Sequence, residues 1–291
     1  MVLEHIFPED WLEQKAGYAF LLGVGYSIVG ILIASILFPG DPALVAVAFT
    51  SILLLPELYK IFDMEERQER MEKKVSFKAL FRDDWDIVKI YVFLFLGILL
   101  VYSFGTMMLP AFETNTLFRE QLEIRLGQGF AGNAFASSAV GSLFWSLLSN
   151  NFMVMVACFI MALLTGDGAI FLITWNASVW GTVFGYTAKA ASSFSGESVL
   201  LVFGKIMAVV TPHMLIEGMA YFLAAIAGAV ISKDVLLEEF ASDRFMEVFG
   251  FNLYLLLGAV LFLLLGAAVE AWVLENVIVY QEIIRMSFLG A

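Results

Sequence analysis

The chain has little charge, little histidine and almost no cysteine. Charged residues make up 15% of its 291 positions and hydrophobic residues 61%, whereas a soluble domain carries about 25% charged residues. The net charge of −12 argues against nucleic-acid binding, because such binding needs Lys and Arg concentrated on one face to neutralise phosphates. The shortage of charge indicates a protein that resides in lipid.

Catalytic signatures are also missing. The single cysteine, Cys158, lies in an apolar run, so the sequence offers neither an internal disulfide nor a cysteine-based metal site. With two histidines there is no H-E-x-x-H motif, and the chain has no G-x-S-x-G sequence and no P-loop. We therefore predict a protein that is not an enzyme and needs no cofactor, and we leave metal binding open.

Long runs without charge predict an all-α, polytopic membrane helix bundle. About 20 apolar residues are needed to cross about 30 Å of hydrocarbon, with every backbone hydrogen bond closed inside the helix. About seven segments meet that length. The predicted spans are residues 16–38, 43–62, 90–109, 145–166, 169–188, 212–232 and 248–269.

Three regions follow from this pattern. Residues 1–62 form a transmembrane hairpin, residues 63–89 a charged cytoplasmic linker, and residues 90–291 a core of five spans. Thr211 and Pro212 resemble a helix N-cap and first helical position, so the sixth span is predicted to begin there as a separate helix. The tail from Glu270 is predicted to be amphipathic and to lie on the surface.

The sidedness depends on the segment 127–144, which is rich in Gly, Ala and Ser. We interpret it as a short interfacial or re-entrant helix that does not cross. The cytoplasmic segments then hold 11 basic residues against 5 outside, which favours a cytoplasmic N-terminus in the cell membrane. If the segment crosses, every span after it inverts.

Small residues recur at four-residue spacing within three spans. Such stripes allow helices to approach closely in lipid, so these faces are predicted to pack on protein and to favour a homo-oligomer, such as a dimer. The stripes are Ala19, Gly23 and Ser27; Gly181 and Gly185; and Ala220, Ala224 and Gly228.

Polar residues inside spans are costly in hydrocarbon and need partners. His213 and Glu217 are four residues apart and share one helix face. We expect them to meet three asparagines, Asn150, Asn151 and Asn176, in one intramembrane cluster. The cluster either binds an ion, a headgroup or a proton, or hydrogen-bonds internally to lock three helices together.

Two further acidic residues lie towards the ends of predicted spans. Glu57 follows Pro56 in the second span, and Glu270 ends the seventh. Both are interpreted as groups that snorkel to the interface or anchor the helix there.

The same region resembles the stage II sporulation protein M family, in the version common in archaeal genomes. Four segments between about residues 90 and 275 carry the resemblance. They are Ser149-Asn150-Asn151-Phe152, Gly166-Asp167-Gly168-Ala169-Ile170, the run from Thr174 to Gly181, and Pro212-His213-Met214-Leu215-Ile216-Glu217. The resemblance implies a multipass membrane scaffold that recruits protein partners.

Two functions follow as hypotheses. The first is a non-enzymatic membrane scaffold or organising protein whose partners are the bilayer, other proteins and a second copy of the chain. The alternative is a transporter or channel for an ion or small solute that uses the Asn/His/Glu cluster, since interrupted helices often form binding sites at mid-membrane.

Overall fold

The computed structural model describes residues 17–71, 77–127, 140–237 and 242–289. These residues form ten helices and no strand. The helices are α1 (Gly17–Leu37), α2 (Ala43–Met71), α3 (Phe77–Met108), α4 (Ala111–Leu117), α5 (Arg119–Gly127), α6 (Val140–Thr165), α7 (Ala169–Ser195), α8 (Val199–Leu237), α9 (Asp243–Asn276) and α10 (Ile278–Leu289). The predicted all-α polytopic bundle is confirmed.

Six helices in the described ranges are long and apolar enough to cross a membrane. They contain the segments Gly17–Leu37, Ala43–Lys60, Trp85–Met108, Leu143–Thr165, Val199–Lys233 and Phe245–Asn276. Helix α7, predicted as a span over residues 169–188, is not among them. Sixteen of its 27 residues are buried, and many of these carry small or hydroxyl side chains. Helix α7 is therefore surrounded by other helices, and this explains why it is less apolar than the six helices above.

Contacts between loops and helix ends define two ends of the bundle. At the linker end, the Lys233 ammonium lies 5.6 Å from the centre of the Tyr59 ring, and Asp167 lies within electrostatic reach of Lys233. At the opposite end, the hairpin end, Arg119 pairs with Asp41 at 3.3 Å. Helices α1, α3, α7 and α9 therefore run from the linker end to the hairpin end, and α2, α6 and α8 run back.

This arrangement bears on the predicted helix at 127–144. Residues 128–139 of that segment lie outside the described residues. Helix α5 begins beside Asp41 at the hairpin end, and α6 finishes next to Asp167 at the linker end. Because α6 also spans the bundle, it begins at the hairpin end, and the chain enters and leaves the segment on one side.

The predicted helix break at Thr211-Pro212 is wrong. Helix α8 continues from Val199 to Leu237 with Pro212 inside it. The Thr211 hydroxyl donates to the Met207 carbonyl at 2.5 Å rather than capping a new helix. Pro212 is exposed, so its ring is accommodated on the outside of the helix, and packing on both sides of the proline outweighs the one lost backbone bond.

Glycines set the closest helix approaches, as the small-residue stripes predict. A Cβ at Gly23 would meet the Leu94 carbonyl oxygen at 2.5 Å, and one at Gly181 would meet the Leu99 oxygen at 2.4 Å. These contacts join α1 to α3 and α3 to α7, so the stripes pack on protein within one chain. Since the stripes are used internally, they give no support to a homo-oligomer.

The predicted surface tail does not begin at Glu270. Glu270 lies inside α9, which continues to Asn276, and is not the first residue of a surface tail. The following helix α10 is packed against the bundle through a buried face. That face consists of Tyr280, Ile283, Ile284 and Ser287.

Candidate functional site

The candidate site lies where α6, α8 and α9 pack against one another. Helix α8 presents Ala220, Ala224 and Gly228 at four-residue spacing, and both alanines are fully buried. A Cβ at Gly228 would lie 2.5 Å from the Phe159 carbonyl oxygen of α6. This close approach fixes the distance between α6 and α8 about three turns of α8 beyond Glu217.

Glu217 of α8 and Glu270 of α9 form a pair of buried carboxyl groups. Glu217 is 2% exposed and Glu270 is 8% exposed, and their carboxyl groups lie close enough to interact with each other. The prediction that Glu270 anchors the helix at the interface is wrong, because its carboxyl turns towards α8. The absence of a side chain at Gly266 leaves room for Glu217, since a Cβ there would lie 2.5 Å from Glu217 Cγ.

The asparagines in the middle of α6 extend this pair into a short polar chain. The Asn151 side chain is buried and lies close enough to the Glu217 carboxyl to interact with it. Asn150, which is exposed, donates from Nδ2 to Asn151 Oδ1 at 3.4 Å. Two of the three predicted asparagines therefore belong to the cluster, with Asn151 making the direct contact.

The carboxyl pair has two consequences for chemistry. Two ionised carboxylates repel each other in a buried site, so the proximity of Glu217 to Glu270 favours a proton on one of the two. Glu217 Oε1 is buried and has no hydrogen-bond partner, which leaves an acceptor free for a ligand or a second proton. Two carboxyl groups this close titrate as one coupled unit.

His213 lies one turn before Glu217 on α8, on the side of the hairpin end. Its ring is 6% exposed, and Nδ1 is buried without a hydrogen-bond partner. The structure therefore places His213 beside the pair along the helix, as predicted, and leaves one ring nitrogen uncommitted.

Asn176 does not join this cluster through any hydrogen bond in the described chain. It lies on α7, half-buried, and donates from Nδ2 to the Leu172 carbonyl of its own helix at 2.8 Å. An amide bonded to its own helix backbone is satisfied locally, so Asn176 is a structural residue of α7.

Glu57 is also not a solvent-facing anchor. It is 5% exposed and lies 3.8 Å from the Lys60 ammonium, one turn along α2. Pro56 lies within the same continuous helix. Glu57 is thus a buried, paired group near the linker end, and it is separate from the Glu217–Glu270 pair.

Metal ligation is not favoured by the donor set. Within the described ranges, no group of three or more His, Cys, Asp or Glu side chains could hold a metal ion. The cluster supplies two buried carboxyl groups and one amide. This set suits exchange of a proton or coordination of one monovalent cation.

Comparison with known proteins covers the same helices. The sequence model of the stage II sporulation protein M family matches residues 87–273. This range includes α6, α7, α8 and the five polar residues that lie at or beside the site, namely Asn150, Asn151, His213, Glu217 and Glu270. No curated protein matches the chain, and no solved structure matches it either. The match extends over more than half of the sequence, and the chain belongs to the stage II sporulation protein M family.

Proposed function

We propose that this protein is a multi-pass transporter of the cell membrane that moves a proton or a monovalent cation through the Glu217–Glu270 pair. The observation that carries the proposal is the proximity of two carboxyl groups from different helices, each nine-tenths buried. A charged side chain in the membrane interior costs roughly 2.5–3.5 kcal/mol on insertion scales, so intramembrane carboxyls mark ion and proton pathways.

The position of the pair supports transport over a purely structural lock. Glu217 lies near the middle of the apolar segment Val199–Lys233. A polar cluster that only holds helices together should have its hydrogen bonds satisfied, whereas Glu217 Oε1 and His213 Nδ1 are buried without hydrogen-bond partners. Unsatisfied buried polar atoms cost about 1–3 kcal/mol each, a cost that a ligand or proton at the site would remove.

The basic residues add an orientation to this proposal. The excess of Lys and Arg at the linker end favours a cytoplasmic position for that end. The N-terminus would then be cytoplasmic and the hairpin end would face outwards.

The scaffold function inferred from the family resemblance stays a prediction. The small-residue stripes do not add support for it, because they pack within the chain. A transporter and a scaffold differ in one measurable property, which is flux through the purified protein.

The test is ion flux in proteoliposomes. We expect wild type to dissipate a proton, sodium or potassium gradient, and Glu217→Gln and Glu270→Gln to abolish that flux while retaining their elution volume in detergent. Glu275→Gln is the matched control, because Glu275 is exposed on α9 five residues beyond Glu270 and should leave the flux unchanged. Absence of flux in wild type under all three gradients would overturn the proposal.

A further inference from the structure

An apolar groove runs along the outside of the bundle between α1 and α3. Its cavity volume is about 450 Å³, and its walls extend from Phe20 to Leu32 on α1 and from Leu100 to Leu109 at the end of α3. All the lining residues are apolar apart from one glycine. Leu32 is 55% exposed, so the groove opens on the outer surface of a membrane-spanning helix pair.

The groove forms because α1 and α3 separate towards the hairpin end. In the middle of α3, glycine lets the two backbones touch, since a Cβ at Gly97 would collide with the Phe20 carbonyl oxygen. Two turns further along α3, a Cβ at Gly105 would meet the Phe118 ring at 3.0 Å and no atom of α1 within 4 Å. The Phe118 ring therefore closes the floor of the groove where the helices have moved apart.

The length of the groove matches half the thickness of a bilayer. At 1.5 Å per residue, the α3 wall from Leu100 to Leu109 is about 14 Å long and the α1 wall from Phe20 to Leu32 about 18 Å. Half of a hydrocarbon core of about 30 Å is about 15 Å. Since Leu109 directly follows the last residue of α3 at the hairpin end, the groove lies in the leaflet on that side.

The width of the groove suits a single hydrocarbon chain. A volume of about 450 Å³ spread over about 14–18 Å of helix gives a mean cross-section of about 25–32 Å². A helix with its side chains is about 10 Å or more across, which corresponds to about 80 Å² or more. The groove is therefore too narrow to take the body of a helix from a second copy of the chain.

A lysine lies at the hairpin end of the groove. The Lys189 ammonium of α7 donates to the carbonyl of Leu109, which lines the groove, and to the Thr106 carbonyl at 3.4 Å. Lys189 is half-buried and forms no ion pair with any residue in the described ranges. An ammonium has three donors, so one N–H of Lys189 remains for an anionic group such as a phosphate.

Carboxyl groups outnumber cations near the same end of the groove. Phe118, which lines the groove, is followed by Arg119. Arg119 lies 3.3 Å from Asp41, 3.3 Å from Glu120 and 3.6 Å from Glu123. One guanidinium thus faces three carboxyl groups, and this surplus favours a ligand with a cationic part over one that carries only negative charge.

We propose that the groove binds one hydrocarbon chain of a zwitterionic phospholipid from the leaflet at the hairpin end. The chain supplies the van der Waals contacts that the groove walls lack. The phosphate lies beside Lys189, and the ammonium of the headgroup lies towards the carboxyl groups around Arg119. The inference does not depend on the proposed transport function, because the groove shares no residue with the Glu217–Glu270 pair.

The test is native mass spectrometry of the purified protein in detergent with equal amounts of phosphatidylethanolamine and phosphatidylglycerol. Wild type should retain one phosphatidylethanolamine in preference to phosphatidylglycerol. Ile28→Trp places a large ring in the groove and should remove this bound lipid. Val29→Trp is the matched control, because Val29 is similarly exposed on α1 but does not line the groove, and it should bind lipid as wild type does.

Variants of two lysines test the headgroup contact in the same experiment. Lys189→Met should weaken phosphatidylethanolamine binding by about tenfold, the effect of one hydrogen bond to a charged group, and Lys189→Arg should retain it. Lys205→Met is the control, because Lys205 is already paired with Glu197 at 2.7 Å, and it should leave lipid binding unchanged.

Three results would overturn the proposal. Equal lipid retention by Ile28→Trp, Val29→Trp and wild type would show that no chain occupies the groove. A wild-type preference for phosphatidylglycerol, or unchanged binding in Lys189→Met, would contradict the zwitterionic headgroup beside Lys189. A wild-type dimer that Ile28→Trp dissociates while lipid retention stays the same would assign the groove to a second copy of the chain.

Discussion

Substitution of Gly228 tests how the close approach of α6 and α8 supports the site. A Cβ at this position would lie 2.5 Å from the Phe159 carbonyl oxygen, 2.9 Å from Ala162 Cβ and 3.0 Å from the Leu163 nitrogen. Ordinary contact begins at 3.4 Å, so Gly228→Ala must push the two helix backbones apart by up to about 0.9 Å, a shift that low-compressibility interiors resist. Overpacking of this kind costs about 1–3 kcal/mol.

The alanine also has a favourable effect, because it is a better helix former than glycine by about 1 kcal/mol. The net loss of stability in Gly228→Ala should therefore be about 0–2 kcal/mol, and Gly258→Ala serves as the control. A Cβ at Gly258 of α9 meets nothing within 4 Å, so that variant should be neutral or more stable by up to about 1 kcal/mol.

The assay is thermal unfolding of the two variants and wild type in one detergent, followed by intrinsic fluorescence. Gly228→Ala should unfold at a lower temperature than Gly258→Ala, and it should also have lower flux, because α6 carries Asn151 and α8 carries Glu217. Equal unfolding temperatures for the two variants would refute the packing argument.

Three further predictions concern stability. Pro212→Ala restores a backbone donor inside α8 and should stabilise the protein, by at most about 3 kcal/mol; a lower unfolding temperature would show that the bundle depends on the proline. Lys189→Met removes the ammonium that donates to the Leu109 and Thr106 carbonyls and should cost about 1–3 kcal/mol in thermal unfolding; unchanged stability would contradict this capping role. Burial raises the pKa of Asp167 in the folded protein, so wild type should lose stability as pH rises through that pKa. Asp167→Asn should lack this loss. If the unfolding temperatures of the two proteins change in parallel over acid and neutral pH, the assignment is contradicted.

Much of the fold follows from hydropathy alone. The first hairpin is a clear case, because the charge-free run at residues 16–38 is followed by a Pro-Gly-Asp-Pro turn, and the helix found is Gly17–Leu37. Prediction from the sequence fails where tertiary packing outweighs a local sequence signal. Thr211-Pro212 has the pattern of a helix start, yet α8 continues through it because its neighbours bury both halves.

The candidate site could be predicted only in part. His213 and Glu217 share a helix face in the sequence, and burial of both is as expected. Glu270 was assigned to an interface because it ends an apolar run, but the helix extends beyond it to Asn276 and turns its carboxyl towards Glu217. The signal that could have identified it is Gly266, one turn earlier, which marks a close approach of α9 to another helix.

The proximity of Glu217 to Glu270 could not have been predicted from the sequence, because the two residues lie in different apolar runs. Bringing them together depends on how α8 and α9 are rotated about their axes, which is set by side-chain packing along the whole contact. The family match over residues 87–273 identifies the helices involved and not their mutual orientation.

Infrared difference spectroscopy of the purified protein tests the central claim most directly. A titration from acid to alkaline pH should show one protonated carboxyl group in a low-polarity environment at neutral pH, and its carbonyl band should shift or vanish in both Glu217→Gln and Glu270→Gln and persist in Glu275→Gln. A wild-type spectrum in which every carboxyl group is ionised at neutral pH, or a band that survives in both Glu217→Gln and Glu270→Gln, would contradict a proton shared by Glu217 and Glu270.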